Sequence, residues 1–381
     1  MKYLDEFRDP QISRRLVERI RRRASRRWTL MEVCGGQTHS LLRHGIDTEL
    51  ADVVEMIHGP GCPVCVTPAE AVDAAIALSR LPDGWLTSFG DMLRVPGSRG
   101  SLLDSRASGG RVQAVYSPLD AVELARQNPA RQVIFFAVGF ETTAPTTALA
   151  VQQAARDRLD NFSMLVAHVR VLPAMLRLAT DTDCNIDGFL AAGHVCTVTG
   201  TEHYDRLATE YGLPVVVTGF EPVDLLQGIA TCIDQLEAGR AAVINSYGRS
   251  VRETGNLTAR QIIDQVYQVV DAGWRGFGEI PAGGLRLREP YRHWDARHRF
   301  ADQLARTVNT EVEPAVCRSG DVLAGRIKPT QCEAFGNRCR PESPLGAPMV
   351  SSEGACAAYF RYAHPQRQDT MSELPVLPVA P

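Results

Sequence analysis

The chain has 381 residues, of which 44% are hydrophobic and 22% charged, with a formal net charge of −3, the balance of a globular protein in water. So small a net charge offers no field for nucleic acid or a membrane surface. The charged start from Met1 to Pro10 has no signal-peptide core, and apolar runs such as Val133–Val138 are too short for a bilayer, so a cytoplasmic location is expected.

One hydrophobic core is outgrown at this length, and two or three domains are expected. Ten cysteines in a reducing compartment point to metal or redox chemistry rather than a disulfide framework. Three lie in the first 65 residues and four after residue 316, while Cys184, Cys196 and Cys232 are scattered.

Residues 13–27 are arginine-rich, with Leu16, Val17 and Ile20 at helical spacing. An arm for an anionic partner is conceivable, but no aromatic residues are interleaved for stacking. A surface helix laid on the first domain is the plainer reading. Trp28–Val33 reads as a buried strand that ends at Cys34-Gly35-Gly36-Gln37-Thr38-His39, followed by a short helix His39–His44 closed by Gly45. A second strand, Val53–Ile57, ends at Gly59-Pro60-Gly61-Cys62-Pro63-Val64-Cys65. Ligands of open α/β sheets bind beyond the carboxyl ends of strands. Two adjacent strands ending in cysteine loops therefore bring three sulfurs and a histidine to one crevice.

Thr67-Pro68-Ala69-Glu70 has the form of a capping box and opens a helix over 69–81. Strands Leu86–Phe89 and Arg111–Tyr116 follow, and Ser117-Pro118-Leu119-Asp120 starts a helix to Gln127. A second unit repeats the grammar, with strands Val133–Val138, Phe162–His168, Gly188–Ala192 and Pro214–Thr218 and helices near 145–158, 172–180, 202–210 and 223–237. Gly139-Phe140-Glu141 and Gly219-Phe220-Glu221 echo one another at two strand ends, too briefly to establish duplication. Glu141, Thr142, Thr143 and His194 are expected on the crevice side of this second sheet, although Glu141 and Thr143 also suit helix caps.

After residue 240 one strand (Ala242–Ser246) and one helix (Leu257–Val270) precede a stretch rich in Gly, Pro and Arg. The fold class expected is α/β: two Rossmann-like parallel-sheet domains, 1–112 and 113–240, then a smaller irregular four-cysteine domain, 241–365. A proline-rich tail, 366–381, is expected to be disordered.

Cys34 lies between strand and helix, where the helix dipole favours thiolate, and Gly35 and Gly36 allow close backbone approach. Thr38 and His39 offer a hydroxyl and an imidazole for whatever the sulfur holds. A single thiolate suits a soft low-spin iron; the alternative is a structural cysteine in a glycine turn. The Cys62–Cys65 spacing fits a reversible disulfide or half a zinc site, and His58 reads as a satisfied strand-end residue. Cys317, Cys332, Cys339 and Cys356, with no CxxC among them, fit either structural zinc or a [4Fe–4S] cluster that substitutes for a missing apolar core.

Together these segments resemble the HypD family of [NiFe]-hydrogenase maturation factors. The likeness is carried by Met31-Glu32-Val33-Cys34-Gly35-Gly36, His58-Gly59-Pro60-Gly61-Cys62-Pro63-Val64-Cys65 and Val138-Gly139-Phe140-Glu141-Thr142-Thr143. It continues in Gly193-His194-Val195, Gly219-Phe220-Glu221-Pro222 and Ser351-Ser352-Glu353-Gly354-Ala355-Cys356, and runs from about Trp28 to Tyr362. Gln37 departs from the histidine expected in many relatives. The resemblance implies a scaffold for the Fe(CN)₂CO group of the hydrogenase, monomeric alone and heterodimeric with a HypC-like chaperone, receiving cyanide from a HypE-like donor. Cys34 would then ligate the transient iron beside Thr38 and His39, and Cys62 and Cys65 would act as a dithiol/disulfide pair. Cys317, Cys332, Cys339 and Cys356 would hold a [4Fe–4S] cluster, and Glu141, His194 and Glu353 are further candidates. An ordinary iron–sulfur thiol–disulfide oxidoreductase, or a zinc-stapled binding protein, are the competing readings.

Overall fold

A computed structural model describes residues 5–305 and 316–363; the expected tail, 366–381, lies outside the described residues. The strands are β1 (Trp28–Glu32), β2 (Val54–His58), β3 (Gly84–Ser88), β4 (Val112–Ala114), β5 (Gln132–Gly139) and β6 (Phe162–His168). They continue with β7 (Gly188–Ala192), β8 (Val215–Thr218), β9 (Val243–Asn245), β10 (Tyr267–Trp274) and β11 (Gly278–Leu287). Nine of them form two parallel sheets, ordered β2-β1-β7-β8-β9 and β4-β3-β5-β6. The near-continuous burial of β5 and β7 is what helices on both faces of a parallel sheet require.

The sheets do not follow chain order. Segment 1–112 supplies β1 and β2 to the five-stranded sheet but β3 to the four-stranded one, its boundary cuts β4, and segment 113–240 is split the same way between β5–β6 and β7–β8. The second unit expected from the sequence is therefore two half-sheets. β1 pairs with β2 on one side and β7 on the other, with Leu30 opposite both Met56 and Gly188, so its second edge is closed to β3.

The helix expected over Leu257–Val270 ends at Val266. Tyr267 starts a strand instead, and β10 pairs with β11 as an antiparallel hairpin. β-branched Val269 and Val270 favour the pleated backbone, and the hairpin buries Trp274 and Ile280. The arginine-rich segment is the helix Pro10–Arg23, with Val17 and Ile20 buried. Its arginines pair locally, Arg19 and Arg23 with Asp234 and Arg21 with Glu49 and Asp52, so it is a surface helix knitted to the five-stranded sheet. The helix Ala69–Ser79 lacks the expected capping box: its N-cap is Pro68, and the Thr67 hydroxyl turns back to the Pro63 carbonyl at 2.8 Å. No described helix is long and apolar enough to cross a membrane.

Candidate functional site

Chain order within the five-stranded sheet reverses between β1 and β7, the switch point where a crevice opens beyond the strand ends. Cys34 follows β1 and caps the helix Gly35–Arg43 with extended backbone, while Gly193 and His194 begin the helix after β7. His194 Nδ1 lies 3.6 Å from Cys34 Sγ. Burial pushes the imidazole pKa down to about 4, so the ring is neutral near pH 7. The thiol is pushed well above its ordinary value, first by burial and then by the Glu32 charge. The thiolate expected from the helix dipole is thus overridden by desolvation, because Cys34 is only 2% exposed.

Glu32, the last residue of β1, is wholly buried and organises the loop. Its Oε2 accepts the Cys34 N–H at 2.7 Å. Its Oε1 accepts the Thr38 hydroxyl and meets His58 Nδ1 at 2.7 Å, and His58 Nε2 reaches the Tyr359 hydroxyl at 3.2 Å. His58 is thus satisfied between two partners, as expected. Thr38 is turned to Glu32, and His39 meets the Tyr362 hydroxyl at 2.9 Å, away from the sulfur. The imidazole beside Cys34 is that of His194. Sequence reasoning passed over Glu32, although an acidic residue inside an apolar strand is the signature of a buried carboxylate with partners waiting.

The two cysteine loops interlock. β2 pairs in parallel with β1 so that Glu32 faces His58. Gly35 N–H donates to Gly61 O at 3.1 Å, and a Cβ on Gly61 would stand 2.1 Å from Cys34 N. Cys62 and Cys65 are joined as a disulfide across the short helix Pro63–Val66. They lie in one buried cluster with Cys34, Phe140 at the end of β5 and Val169 after β6, so the carboxyl ends of both sheets converge on the disulfide. Gln37 is buried, its Nε2 donating to the carbonyls of Ala191 and Thr218 at 3.3 and 3.2 Å.

Glu141 and His194 stand at the ends of different sheets, not of one. Glu141 caps the helix Val171–Ala179 by accepting the Val171 N–H at 3.1 Å, and its pKa is raised by burial. Thr143 is the N-cap residue of the helix Ala144–Arg156 without a side-chain bond. Glu353 abuts the Cys34 loop, since a Cβ on Gly35 would come 2.2 Å from its carbonyl oxygen. Burial, then Asp91, raises its pKa.

Cys317, Cys332, Cys339 and Cys356 are free thiols lining one cavity whose other walls include Val322, Phe335 and Met349. Among the described residues no three His, Cys, Asp or Glu side chains are placed to grip a single ion, so these thiols ring a space rather than converge on a point. The Leu345 N–H donates to Cys339 Sγ at 3.4 Å, and a Cβ on Gly346 would stand 2.4 Å from Cys317 Sγ. Burial, followed by the other three thiols, raises Cys356 well above its ordinary value. An apolar cradle with N–H···S contacts and room made by a glycine suits a multi-sulfur group. The turn Ala347–Met349 lines this cavity with Pro348 and Met349 and packs against the disulfide helix. The helix Ala355–Tyr362, which carries Cys356, packs on the helix that Cys34 caps.

Fold and site together define an α/β protein that gathers a cysteine–histidine pair, a disulfide and a four-thiol cavity around the carboxyl ends of two parallel sheets. Residues 11–363 match the family model described as "HypD: Hydrogenase formation hypA family". The chain is 48% identical to the hydrogenase maturation factor HypD of Rhodobacter capsulatus, over 95% of this chain and 98% of that protein. It is 44% identical to HypD of Escherichia coli K12 over the same shares, and 45% identical to HypD of Azotobacter vinelandii over 97% of this chain and 98% of that one. The chain belongs to the HypD family of hydrogenase maturation factors.

Proposed function

We propose that this protein is the scaffold on which the Fe(CN)₂CO group is assembled, together with a HypC-like chaperone and a HypE-like cyanide donor. The observation that carries the reading is the Cys34–His194 pair at 3.6 Å, set at a switch point and sharing a core cluster with the Cys62–Cys65 disulfide. Cys34 offers the soft sulfur ligand for the cargo iron. Glu32 fixes its backbone, and His194 sets the polar side of the sulfur. Because Cys34 is buried, loading the iron requires the neighbouring Glu353 segment to yield, and that segment belongs to the four-cysteine region.

Cys317, Cys332, Cys339 and Cys356 would hold a [4Fe–4S] cluster, with Leu345 N–H directed at sulfur and Phe335 and Met349 excluding water. A cluster held there would supply electrons, and two of them with two protons convert the Cys62–Cys65 disulfide into two thiols. The turn Ala347–Met349, touching both the cavity and the disulfide helix, provides the short route between them.

The test is anaerobic co-purification with the HypC-like partner, read by infrared spectroscopy. Iron-bound cyanide and carbonyl bands in the wild type, lost in Cys34→Ser, are expected. A Cys34→Ser variant that keeps both the bands and its iron would leave only the thiol–disulfide oxidoreductase reading, which needs the disulfide and the cavity but gives Cys34 no work.

A further inference from the structure

Cys34 is covered on two sides by different kinds of structure. Over Gly35 the cover is backbone: a Cβ there would stand 2.2 Å from the Glu353 carbonyl oxygen, so that side opens only if a chain segment moves. Over Gly36 the cover is one side chain. The Cβ that an alanine would place at position 36 stands 3.1 Å from the Phe220 ring and 3.6 Å from Cys34 Sγ. The same ring lies 5.4 Å, centre to centre, from the His194 imidazole, so Phe220 shields both members of the Cys34–His194 pair.

Phe220 also lines a cavity of about 440 Å³ whose other walls are Glu221, Asp224, Tyr247, Arg249 and Ser250. A close-packed interior holds its rings in place because no free volume can receive them. This ring has free volume on one side and a glycine on the other. Its backbone is fixed: the Phe220 carbonyl accepts the Ser40 hydroxyl, and the Glu221 N–H that follows donates to Asp224 at 3.3 Å. A change of side-chain rotamer, with no change of chain path, is enough to uncover the sulfur.

The rim of this cavity is tied to the start of the chain. Arg249 forks onto both carboxylate oxygens of Asp224 at 2.6 Å. Its guanidinium stacks on the ring of Phe7 at 3.6 Å and on that of Tyr247 at 4.4 Å. Arg8 pairs with Glu221 at 2.8 Å, and Tyr247 stands edge-on to Phe220 with 6.5 Å between ring centres. The charges at this mouth are thus paired with one another, and the aromatic rings of Phe220 and Tyr247 face whatever enters.

We propose that Phe220 is the gate through which small uncharged reactants reach Cys34, and that Phe7 and Arg8 latch it. With the ring swung into the cavity, the sulfur and the imidazole face that cavity while the Glu353 segment stays closed. Releasing the Phe7–Arg249 stack loosens Tyr247, the ring against which Phe220 closes. The inference rests on Cys34 being the working sulfur of the scaffold proposed above. Its test reads the bare thiol without iron, so the gate and the iron chemistry can fail separately.

The experiment is anaerobic alkylation of the full-length protein with iodoacetamide near neutral pH, followed for each cysteine by mass spectrometry. Phe220→Ala is expected to speed the labelling of Cys34 at least tenfold, and Phe7→Ala, at the rim, about threefold. Iodoacetate, nearly the same size but anionic, should label wild-type Cys34 at least tenfold more slowly than iodoacetamide once both are scaled to their rates with glutathione. Cys196 and Cys232, both 0% exposed, are the internal reference for folding and should stay unlabelled in every variant. If Phe220→Ala opens the fold enough to label Cys232, the milder Phe220→Leu takes its place with the same two outcomes. An unchanged Cys34 rate in the Phe220 variant overturns the gate. An unchanged rate in Phe7→Ala overturns the latch, and equal scaled rates for the two reagents overturn the preference for uncharged reactants.

Discussion

His194 Nδ1 lies 3.6 Å from the sulfur of Cys34, although the two strands that deliver these residues are separated in the chain by the whole four-stranded sheet. The contact exists because β1 and β7 are neighbours in parallel register. If it helps to hold cargo iron, His194→Gln should lower the iron retained per chain severalfold under anaerobic co-expression, while Cys34→Ser brings it to background. Equal iron in His194→Gln and wild type would remove His194 from the site.

The junction between the two cysteine loops leaves no room for a methyl group. A Cβ on Gly61 would meet Cys34 N at 2.1 Å and the Val33 carbonyl carbon at 2.2 Å, and both are backbone atoms that cannot step aside. Gly61→Ala is expected to cost about 3 kcal/mol or more. Gly90→Ala is the matched control, since a Cβ there meets nothing within 4 Å. Urea midpoints of the two variants check this, and similar midpoints would contradict the interlock.

Glu32 serves three donors at once: the Cys34 N–H, the Thr38 hydroxyl and His58 Nδ1. Glu32→Ala strands all of them in a dry interior, at a cost of about 3–5 kcal/mol. Glu32→Gln keeps the shape but points an amide N–H₂ at a donor, and is expected to fall between the two. Denaturation curves that rank Gln with or below Ala would mean that shape, not acceptor chemistry, is what the position supplies.

His168 gives the fold an acid limit. Buried between the Thr147 hydroxyl at 2.8 Å and the Gly139 carbonyl at 3.1 Å, it has its pKa pushed down to about 4 by burial, against about 6.5 in an unfolded chain. Between those values the unfolded state binds the extra proton. Stability from this group is therefore complete above pH 6.5 and declines as pH falls toward 4, by roughly 3 kcal/mol in all. His168→Gln should flatten the stability profile over that window; an unchanged slope would assign the acid sensitivity to other groups.

The sequence was legible where periodicity and local chemistry decide the outcome. The cysteine loops stand at strand ends because apolar runs stop at Cys34 and Cys62, and the two strands are neighbours as expected. Sheet membership was not legible, because whether β3 pairs with β1 or with β5 depends on β7 claiming the free edge of β1 from far along the chain. The hairpin was hidden by the three glycines and the proline of β11 and by exposed positions in β10. At the sulfur, the helix dipole was readable from position 34 alone, whereas the burial that outweighs it comes from residues such as Phe220, whose ring would lie 3.1 Å from a Cβ on Gly36. His39 and His194 could not be ranked for the same reason.

The interleaving also sets a timetable for biosynthesis. Leu30 must find Gly188, so the first strand to leave the ribosome waits for about half of the chain before its inner edge is covered, and pairing across so long a loop is slow. Until then Cys34 lacks its imidazole neighbour and remains open to oxidants or stray metal. The pairing of Cys34 with His194 is thus absent from any nascent chain that has not yet reached β7.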